Sequence, residues 1–248
     1  MDGLLHIGTI KPNITRYQLL KIGILGASIA QNGGCFQKFK RCNQYNGHRN
    51  ISRKLFDGKK WTVVNAKFKG FLVKFSDKLK KFYNIKTVIH NGGLDATPIQ
   101  FVETCLFSHI PKNLDLLIIE PGSMAKYAQF ASVSNIVNTF MSMKQKPSIA
   151  ILLFHEWFHQ RNRSQWYGLN EQTSWKKMEQ KSVSLCKKLD ISCISMRHAL
   201  FGKKTKSEMF NYIGYDGLHI SNSMFGADLI ANLLLKWIEL GKPNAVSQ

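Results

Sequence analysis

The stretch Lys21-Ile-Gly-Ile-Leu-Gly-Ala-Ser28 (KIGILGAS) decides the fold that we predict for this chain. Its apolar run is continuous rather than alternating, which is typical of a parallel strand that is covered on both faces. Gly26 and Ala27 then close the run, and a glycine at such a point indicates a tight turn. The stretch therefore predicts a buried strand with Ser28 just beyond its carboxyl end.

Four further segments predict strands, at residues 86–90, 114–119, 149–154 and 191–195. Helices are predicted between and after them, at residues 66–83, 125–143, 172–189 and 223–240. The first helix rests on apolar residues at i, i+3, i+4 and i+7, the period of one helix face. Alternating strands and helices predict an α/β protein, a three-layer α/β/α sandwich around a five-stranded parallel sheet. A length of 248 residues fits a single domain over residues 1–248, with its core at about residues 22–240.

The charge of the chain is strongly positive and uneven. Thirty-five Lys and Arg against 15 Asp and Glu give a formal net charge of +20. Residues 36–86, the basic segment, hold 15 of the basic residues and only two acidic ones. This segment is either a solvated surface whose lysine stems cover apolar area, or a binding surface for an anionic polymer or a membrane. Nucleic acid is the less favoured partner, because no nucleic-acid-binding motif accompanies the charge.

The apolar runs and the cysteines bear on where the protein works. No run approaches the roughly 18 to 20 apolar residues of a transmembrane helix. Residues 1–13 also lack the basic and apolar regions of a secretory signal, so we expect a cytoplasmic protein. Five cysteines without a C-x-x-C pair fit neither a disulfide framework nor a structural zinc site, and reduced thiols are predicted.

Polar residues follow the predicted strands at the edge where open α/β sheets bind their ligands. Ser28 ends the first strand, and Asp216-Gly-Leu-His219 precedes the last predicted helix. A serine hydroxyl becomes a nucleophile when a histidine accepts its proton and an acidic group orients that histidine, which is the chemistry of acyl transfer. Each residue also has a structural explanation, since Ser28 can cap a helix and His219 can be an exposed residue at a helix start.

Four blocks of the sequence, taken in order, resemble the SGNH (GDSL-type) hydrolases. They are LGAS at 25–28, HNGGLDAT at 90–97, LDLLIIE at 114–120 and DGLH at 216–219. The similarity is closest to the divergent eukaryotic branch, whose nucleophile motif is not a strict G-D-S, and it spans about residues 22–237. It implies a flavodoxin-like α/β/α fold and the hydrolysis of carboxylic esters through an acyl-enzyme, without a metal or cofactor.

The resemblance also implies a role for individual residues. Ser28 would be the nucleophile, His219 the general base and Asp216 its orienting partner. The backbone N–H groups of Ser28 and Ala96 would stabilise the oxyanion that develops on the substrate carbonyl.

The third block departs from the family pattern. Families of this type place an Asn a few residues after the third strand, whereas Glu120-Pro-Gly-Ser-Met124 has none. One oxyanion donor is therefore missing, or Ser123 or Asn91 supplies it, and a missing donor costs roughly 3 kcal/mol of transition-state stabilisation. The alternatives to an esterase are an O-acyltransferase acting on a glycan and a catalytically impaired protein that binds an anionic partner.

The stretch His155-Glu-Trp-Phe-His159 contains H-E-x-x-H, which builds a zinc site when both histidines lie on one helix. The apolar strand predicted at 149–154 argues against such a helix, so we predict no metal site. Instead, we expect a substrate pocket lined by Gly92, Gly93, His155, Glu156 and Trp157. The expected substrate is an ester-bearing small molecule or an acylated glycan, and the oligomeric state is left open.

Overall fold

The structure is a computed structural model, and it describes most of the chain. The described residues are 3–8, 18–27, 29–30, 36–37, 40–41, 48–56, 61–94, 97–121, 130–155, 157, 174–200, 206–209, 212–213, 220 and 224–240. The elements and contacts given below are those of these residues.

Strands and helices alternate along most of the described chain. The strands are β1 (Leu4–His6), β2 (Leu19–Gly26), β3 (Phe36–Gln37), β4 (Lys40–Arg41), β5 (His48–Phe56), β6 (Trp61–Lys69), β7 (Lys86–Gly93), β8 (Leu116–Glu120), β9 (Ser148–Leu153) and β10 (Ser192–Ser195). The helices are α1 (Phe71–Tyr83), α2 (Ile99–Thr104), α3 (Leu106–His109), α4 (Phe130–Met141), α5 (Ser174–Leu189), α6 (Met196–Leu200), α7 (Lys206–Met209) and α8 (Met224–Leu240). None of these helices combines the length and the apolar content that a bilayer crossing requires.

One large sheet organises the molecule, with the strand order β1-β10-β9-β8-β2-β7. Its last five strands are parallel, which confirms the predicted α/β class and the parallel sheet. Numbered along the chain, these five have the order 2-1-3-4-5 of flavodoxin-like folds. The sheet has six strands rather than five, because the short β1 pairs antiparallel with β10 at one edge.

The predicted helix at residues 66–83 is wrong at its start. Residues up to Lys69 belong to β6, which pairs antiparallel with β5 along the whole length of both strands. Gly70 then has extended backbone, with φ −62° and ψ 163°, and the helix begins at Phe71. Phe68 fits the helical period by spacing alone, and the pairing with β5 overrides that local preference.

Apolar clusters on both faces of the sheet form the core. On one face, Phe71 of α1 and Trp237 of α8 are fully buried. On the other face, α2, α3 and α4 pack against the strands, and Phe140 is fully buried. The neighbouring β2 residues Ile24 and Leu25 belong to opposite clusters. This two-sided burial explains why the hydrophobic run of β2 is continuous.

A disulfide joins the end of α5 to β10. Cys186 and Cys193 are both fully buried, and their Cα atoms lie 6.0 Å apart. The prediction of reduced thiols is wrong for this pair, because the return of the chain from α5 to β10 brings together two cysteines that no short motif links. Disulfides persist mainly in oxidising compartments. The cytoplasmic location that we expect from the sequence stays a prediction.

Loss of this disulfide is expected to lower the free energy of unfolding by about 2 to 3 kcal/mol, because the bond restricts the unfolded chain over a short loop. Urea unfolding of oxidised wild type, reduced wild type and the Cys186→Ala/Cys193→Ala double variant measures the effect. Cys105→Ala, at a half-buried free cysteine, is the matched control. An oxidised wild type that is no more stable than its reduced form would contradict the expectation.

Candidate active site

The carboxyl ends of the parallel strands share one edge of the sheet, and β2 lies at the point where the strand order reverses. α1 lies between β2 and β7 in the chain and covers one face of the sheet, whereas α2 and α3 lie between β7 and β8 and cover the other. β2 pairs with β7 on one side and with β8 on the other, and Gly26 is opposite both Gly93 and Glu120. Ligands of open α/β sheets bind at such a reversal. Residues 26, 27, 29 and 30 follow or end β2 at this edge. We call residues 26–30 the nucleophile turn, because the sequence predicts the nucleophile at position 28.

Gly26 permits the backbone to enter the nucleophile turn. Its φ of +152° lies in a region that side-chain-bearing residues rarely adopt. A Cβ atom at this position would lie 2.5 Å from the carbonyl oxygen of Glu120 and 2.9 Å from the Cβ of Ala30. Glycine is therefore required by both the backbone conformation and the space available.

Two side chains from the flanking strands hold the nucleophile turn. The carboxylate of Glu120, from β8, accepts a hydrogen bond from the backbone N–H of Ala27 through Oε2, at 3.3 Å. The amide of Asn91, from β7, donates to the carbonyl oxygen of Ala30 at 2.9 Å. Ala27 and Ala30 lie on either side of Ser28, and residues 29 and 30 are helical. The turn is thus fixed at both of its ends.

The strand predicted at residues 86–90 is confirmed and is longer than expected, because β7 continues to Gly93 and pairs with β2 over its full length. Gly93 donates its N–H to Oδ1 of Asn91 at 3.0 Å. Gly92 is buried, and a Cβ there would lie within 3.0 Å of Ile110 and Leu25 side-chain atoms. Asn91 uses one amide hydrogen on Ala30, and its role as an oxyanion donor stays a prediction.

His155 and Trp157 follow β9 at the same edge of the sheet. Their rings meet edge to face with centroids 4.9 Å apart. Both residues are nearly fully buried, His155 at 3% and Trp157 at 4% exposure. The strand predicted before them is confirmed, and His155 lies beyond that strand rather than on a helix. Their expected place in a pocket lining stays a prediction.

Six of the predicted site residues lie outside the described part of the chain. They are Ser28, Ala96, Ser123, Glu156, Asp216 and His219. Among the residues that are described, no group of three or more His, Cys, Asp or Glu side chains is arranged to hold a metal ion.

A second polar cluster, which the sequence does not predict, lies where β10 ends. Glu179 of α5 is 5% exposed and accepts a hydrogen bond from the Ser195 hydroxyl at 2.5 Å. The guanidinium of Arg197 donates to the other carboxylate oxygen, with Nε at 2.9 Å. Ser195 also accepts the backbone N–H of His198 and so caps α6.

The hydrogen-bond partners of Glu179 stabilise its ionised form. Burial alone would raise the pKa of this carboxyl, but hydrogen bonds from Arg197 and Ser195 and the charge of Arg197 outweigh it. The pKa of Glu179 is therefore lowered from its ordinary value. The cluster ties α5 to α6 at the end of β10.

Solved structures with a similar fold are esterases and acylhydrolases. A two-domain esterase active on acetylated mannans has a TM-score of 0.63 and 15% sequence identity, covering 100% of this chain and 57% of that chain. A catalytic mutant of an acetylxylan esterase from Geobacillus stearothermophilus has a TM-score of 0.58 and 13% identity, covering 91% and 97%. A lipase/acylhydrolase from Enterococcus faecalis has a TM-score of 0.57 and 12% identity, covering 89% and 95%. The chain has the SGNH hydrolase fold.

No family model matches the sequence, and no curated protein is similar enough in sequence to be matched. The chain spans 57% of the length of the two-domain esterase. β2, whose end carries the first block of the resemblance, lies at the reversal of the strand order. Glu120 and Asn91 make side-chain hydrogen bonds to this turn, and both lie at or near the end of their strands.

Proposed function

We propose that this protein is a serine-dependent hydrolase of carboxylic esters with Ser28 as its nucleophile. The observation that carries the proposal is the nucleophile turn. A glycine with positive φ ends β2 at the reversal of the strand order, and Ser28 is the second residue after it. A serine at such a sharp turn can present its hydroxyl to the crevice beyond the sheet.

The proposed reaction runs in two steps. His219, oriented by Asp216, accepts the proton of the Ser28 hydroxyl as Oγ attacks the ester carbonyl. Backbone N–H groups of Ser28 and Ala96, with Ser123 or Asn91, stabilise the oxyanion, which collapses to an acyl-enzyme as the alcohol leaves with the proton from His219. Water, deprotonated by His219, then attacks the acyl carbonyl. The bond to Ser28 Oγ breaks as His219 returns the proton to Oγ, and the carboxylic acid is released. Neither step requires a metal or cofactor.

The substrate class that we propose is an acylated carbohydrate or a small acetyl ester. Two of the similar structures are named for activity on acetylated mannans and for acetylxylan esterase activity. The basic segment would bind an anionic polymer or membrane surface. Its described part includes Lys80, Lys81 and Lys86, all exposed at the end of α1 and the start of β7. Exposed cations of this kind attract polyanions in a salt-dependent manner.

Hydrolysis of nitrophenyl acetate by wild type and by Ser28→Ala tests the proposal. Wild type is expected to turn over the ester, and Ser28→Ala to lose on the order of 1,000-fold or more in kcat, because the reaction then lacks its nucleophile. Ser142→Ala, at an exposed serine beyond the end of α4, is the matched control and should retain wild-type turnover. Equal turnover by wild type and Ser28→Ala, or none by either, would contradict the esterase proposal for this substrate class.

The same experiment separates the two alternatives. An O-acyltransferase would transfer the acyl group from the ester to an added glycan acceptor, which mass spectrometry of the glycan detects. A catalytically impaired binding protein would show no hydrolysis in wild type and would retain binding to an acidic polysaccharide in Ser28→Ala. The absent third-block Asn motivates the second alternative.

A further inference from the structure

We propose that Glu120 is a positioning residue that holds the nucleophile turn and thereby sets the reactivity of Ser28. This role rests on the proposed function, since it assumes that Ser28 is the nucleophile. It goes beyond that function because it gives a residue of the third block, Glu120, a role of its own.

Glu120 is a buried residue at the end of an otherwise apolar strand. β8 consists of four apolar residues followed by this glutamate, and all five are buried. Glu120 itself is 0% exposed. A buried carboxyl group costs free energy unless hydrogen bonds compensate it. An apolar residue would continue the pattern of the strand at lower cost, so the glutamate at this position calls for a specific role.

The contacts of Glu120 supply that role. Its carboxylate accepts the N–H of Ala27, the residue that immediately precedes Ser28 in the chain. Its carbonyl oxygen is the atom that a Cβ at Gly26 would meet at 2.5 Å. Glu120 therefore contacts the nucleophile turn through both its side chain and its main chain.

The position of this hydrogen bond explains how it can control reactivity. An acceptor on the Ala27 N–H fixes the orientation of the peptide group between Gly26 and Ala27, and the backbone of Ser28 continues from there. Attack on an ester needs the nucleophile within a narrow range of position, and a displacement of about 1 Å can cost on the order of 100-fold in rate. Among the described residues, Asn91 bonds to the far end of the turn, at Ala30, and Glu120 bonds next to the nucleophile on its N-terminal side.

Variants of Glu120, made in the 248-residue chain, separate the effect of side-chain length from the effect of charge. Glu120→Gln keeps the length of the side chain and an acceptor oxygen but removes the charge. Glu120→Asp keeps the charge but withdraws the acceptor by one methylene, which lengthens a contact that is already 3.3 Å. Glu120→Ala removes both. Glu179→Gln, at a carboxyl that is buried to a similar degree beside β10, two strands from β8, is the matched control.

Two readouts report on Ser28 itself: kcat and KM for nitrophenyl acetate, and the rate at which a fluorophosphonate probe labels the serine. We expect Glu120→Asp and Glu120→Ala to lower kcat and the labelling rate by about 30- to 100-fold with KM within about 3-fold of wild type, because binding contacts are unchanged. Glu120→Gln should stay within about 5-fold of wild type. Glu179→Gln should lower the melting temperature and leave the labelling rate of the folded protein unchanged.

The outcomes distinguish this role from the proposed function. A wild type that neither turns over the ester nor is labelled at Ser28 overturns the proposed function, and the positioning role with it. An active wild type with Glu120→Asp equal to it, or with Glu120→Gln as impaired as Glu120→Asp, overturns the positioning role alone. If Glu120→Ala does not fold, the comparison of the Asp and Gln variants decides the question by itself.

Discussion

Replacement of Gly26 by alanine is expected to lower the free energy of unfolding by about 3 kcal/mol, the combined cost of an unfavourable φ and of overpacking. The backbone at Gly26 has φ +152°, and the added Cβ would lie 2.5 Å from a backbone oxygen of Glu120. A main-chain atom in the middle of a parallel sheet cannot move aside without breaking strand pairing. The same substitution is expected to lower ester hydrolysis, because relief of the contact shifts the nucleophile turn.

Gly23→Ala is the matched control for this prediction. Gly23 lies in the same strand and is also buried, but a Cβ there would meet the side-chain methyl of Leu114, at 2.4 Å, rather than a backbone atom. A leucine methyl can rotate away, so we expect a loss of about 1 kcal/mol. Urea unfolding of both variants measures the difference. Similar losses in the two variants would show that neither the positive φ nor the contact with Glu120 sets the requirement for glycine at position 26.

The parallel sheet could be predicted from the sequence because its signal is local. β2, β8 and β9 carry continuous apolar runs, β7 and β10 carry shorter apolar stretches, and helices with apolar faces separate most of the five strands. The β1 strand carries no such signal, since its three residues are too few for a pattern. The start of α1 cannot be predicted locally, because a local signal is present but misleading. Phe68 fits a helical period, but the pairing of β6 with β5 decides its conformation.

The candidate site could be predicted only in part, because its contacts are long-range. The position of Ser28 beyond β2 follows from the run that ends at Gly26. The hydrogen-bond partners of the turn cannot be predicted in this way, since Ala27 and Glu120 are 93 residues apart, and Ala30 and Asn91 are 61 apart. The register of β2 with its two neighbours decides which side chain bonds to which backbone group of the turn, and no short motif encodes that register.

The Glu179 cluster illustrates the same limit. Glu179 lies in a lysine-rich helix, where a glutamate is typical of an exposed face with i,i+4 partners. The fold instead turns it inward, so that it meets Arg197 beyond the next strand. The disulfide between Cys186 and Cys193 closes the same connection from α5 to β10. Local sequence therefore predicts the elements, whereas the polar contacts that lock them together follow from the assembled sheet.

Replacement of Glu179 by alanine is expected to lower the free energy of unfolding by about 3 to 5 kcal/mol, because it leaves the charge of Arg197 buried and uncompensated. The side chain of Arg197 is only 10% exposed. Asp228→Asn is the matched control: it removes an ion pair with Lys74 at 2.7 Å whose carboxylate is 36% exposed. Such a partly exposed pair contributes about 1 kcal/mol or less.

Acid sensitivity provides an independent test of the Glu179 cluster. The pKa of Glu179 is lowered in the folded protein, so its stabilisation is fully present above the unfolded pKa of about 4.3 and is lost as the pH falls through the lower folded pKa. In urea unfolding below about pH 4, the difference in the free energy of unfolding between wild type and Glu179→Gln should therefore become smaller. The Glu179→Leu/Arg197→Met double variant should recover to within about 2 kcal/mol of wild type at neutral pH, since no unpaired charge remains buried. A double variant as unstable as Glu179→Ala would show that the packing of this site, rather than the unpaired charge of Arg197, causes the loss.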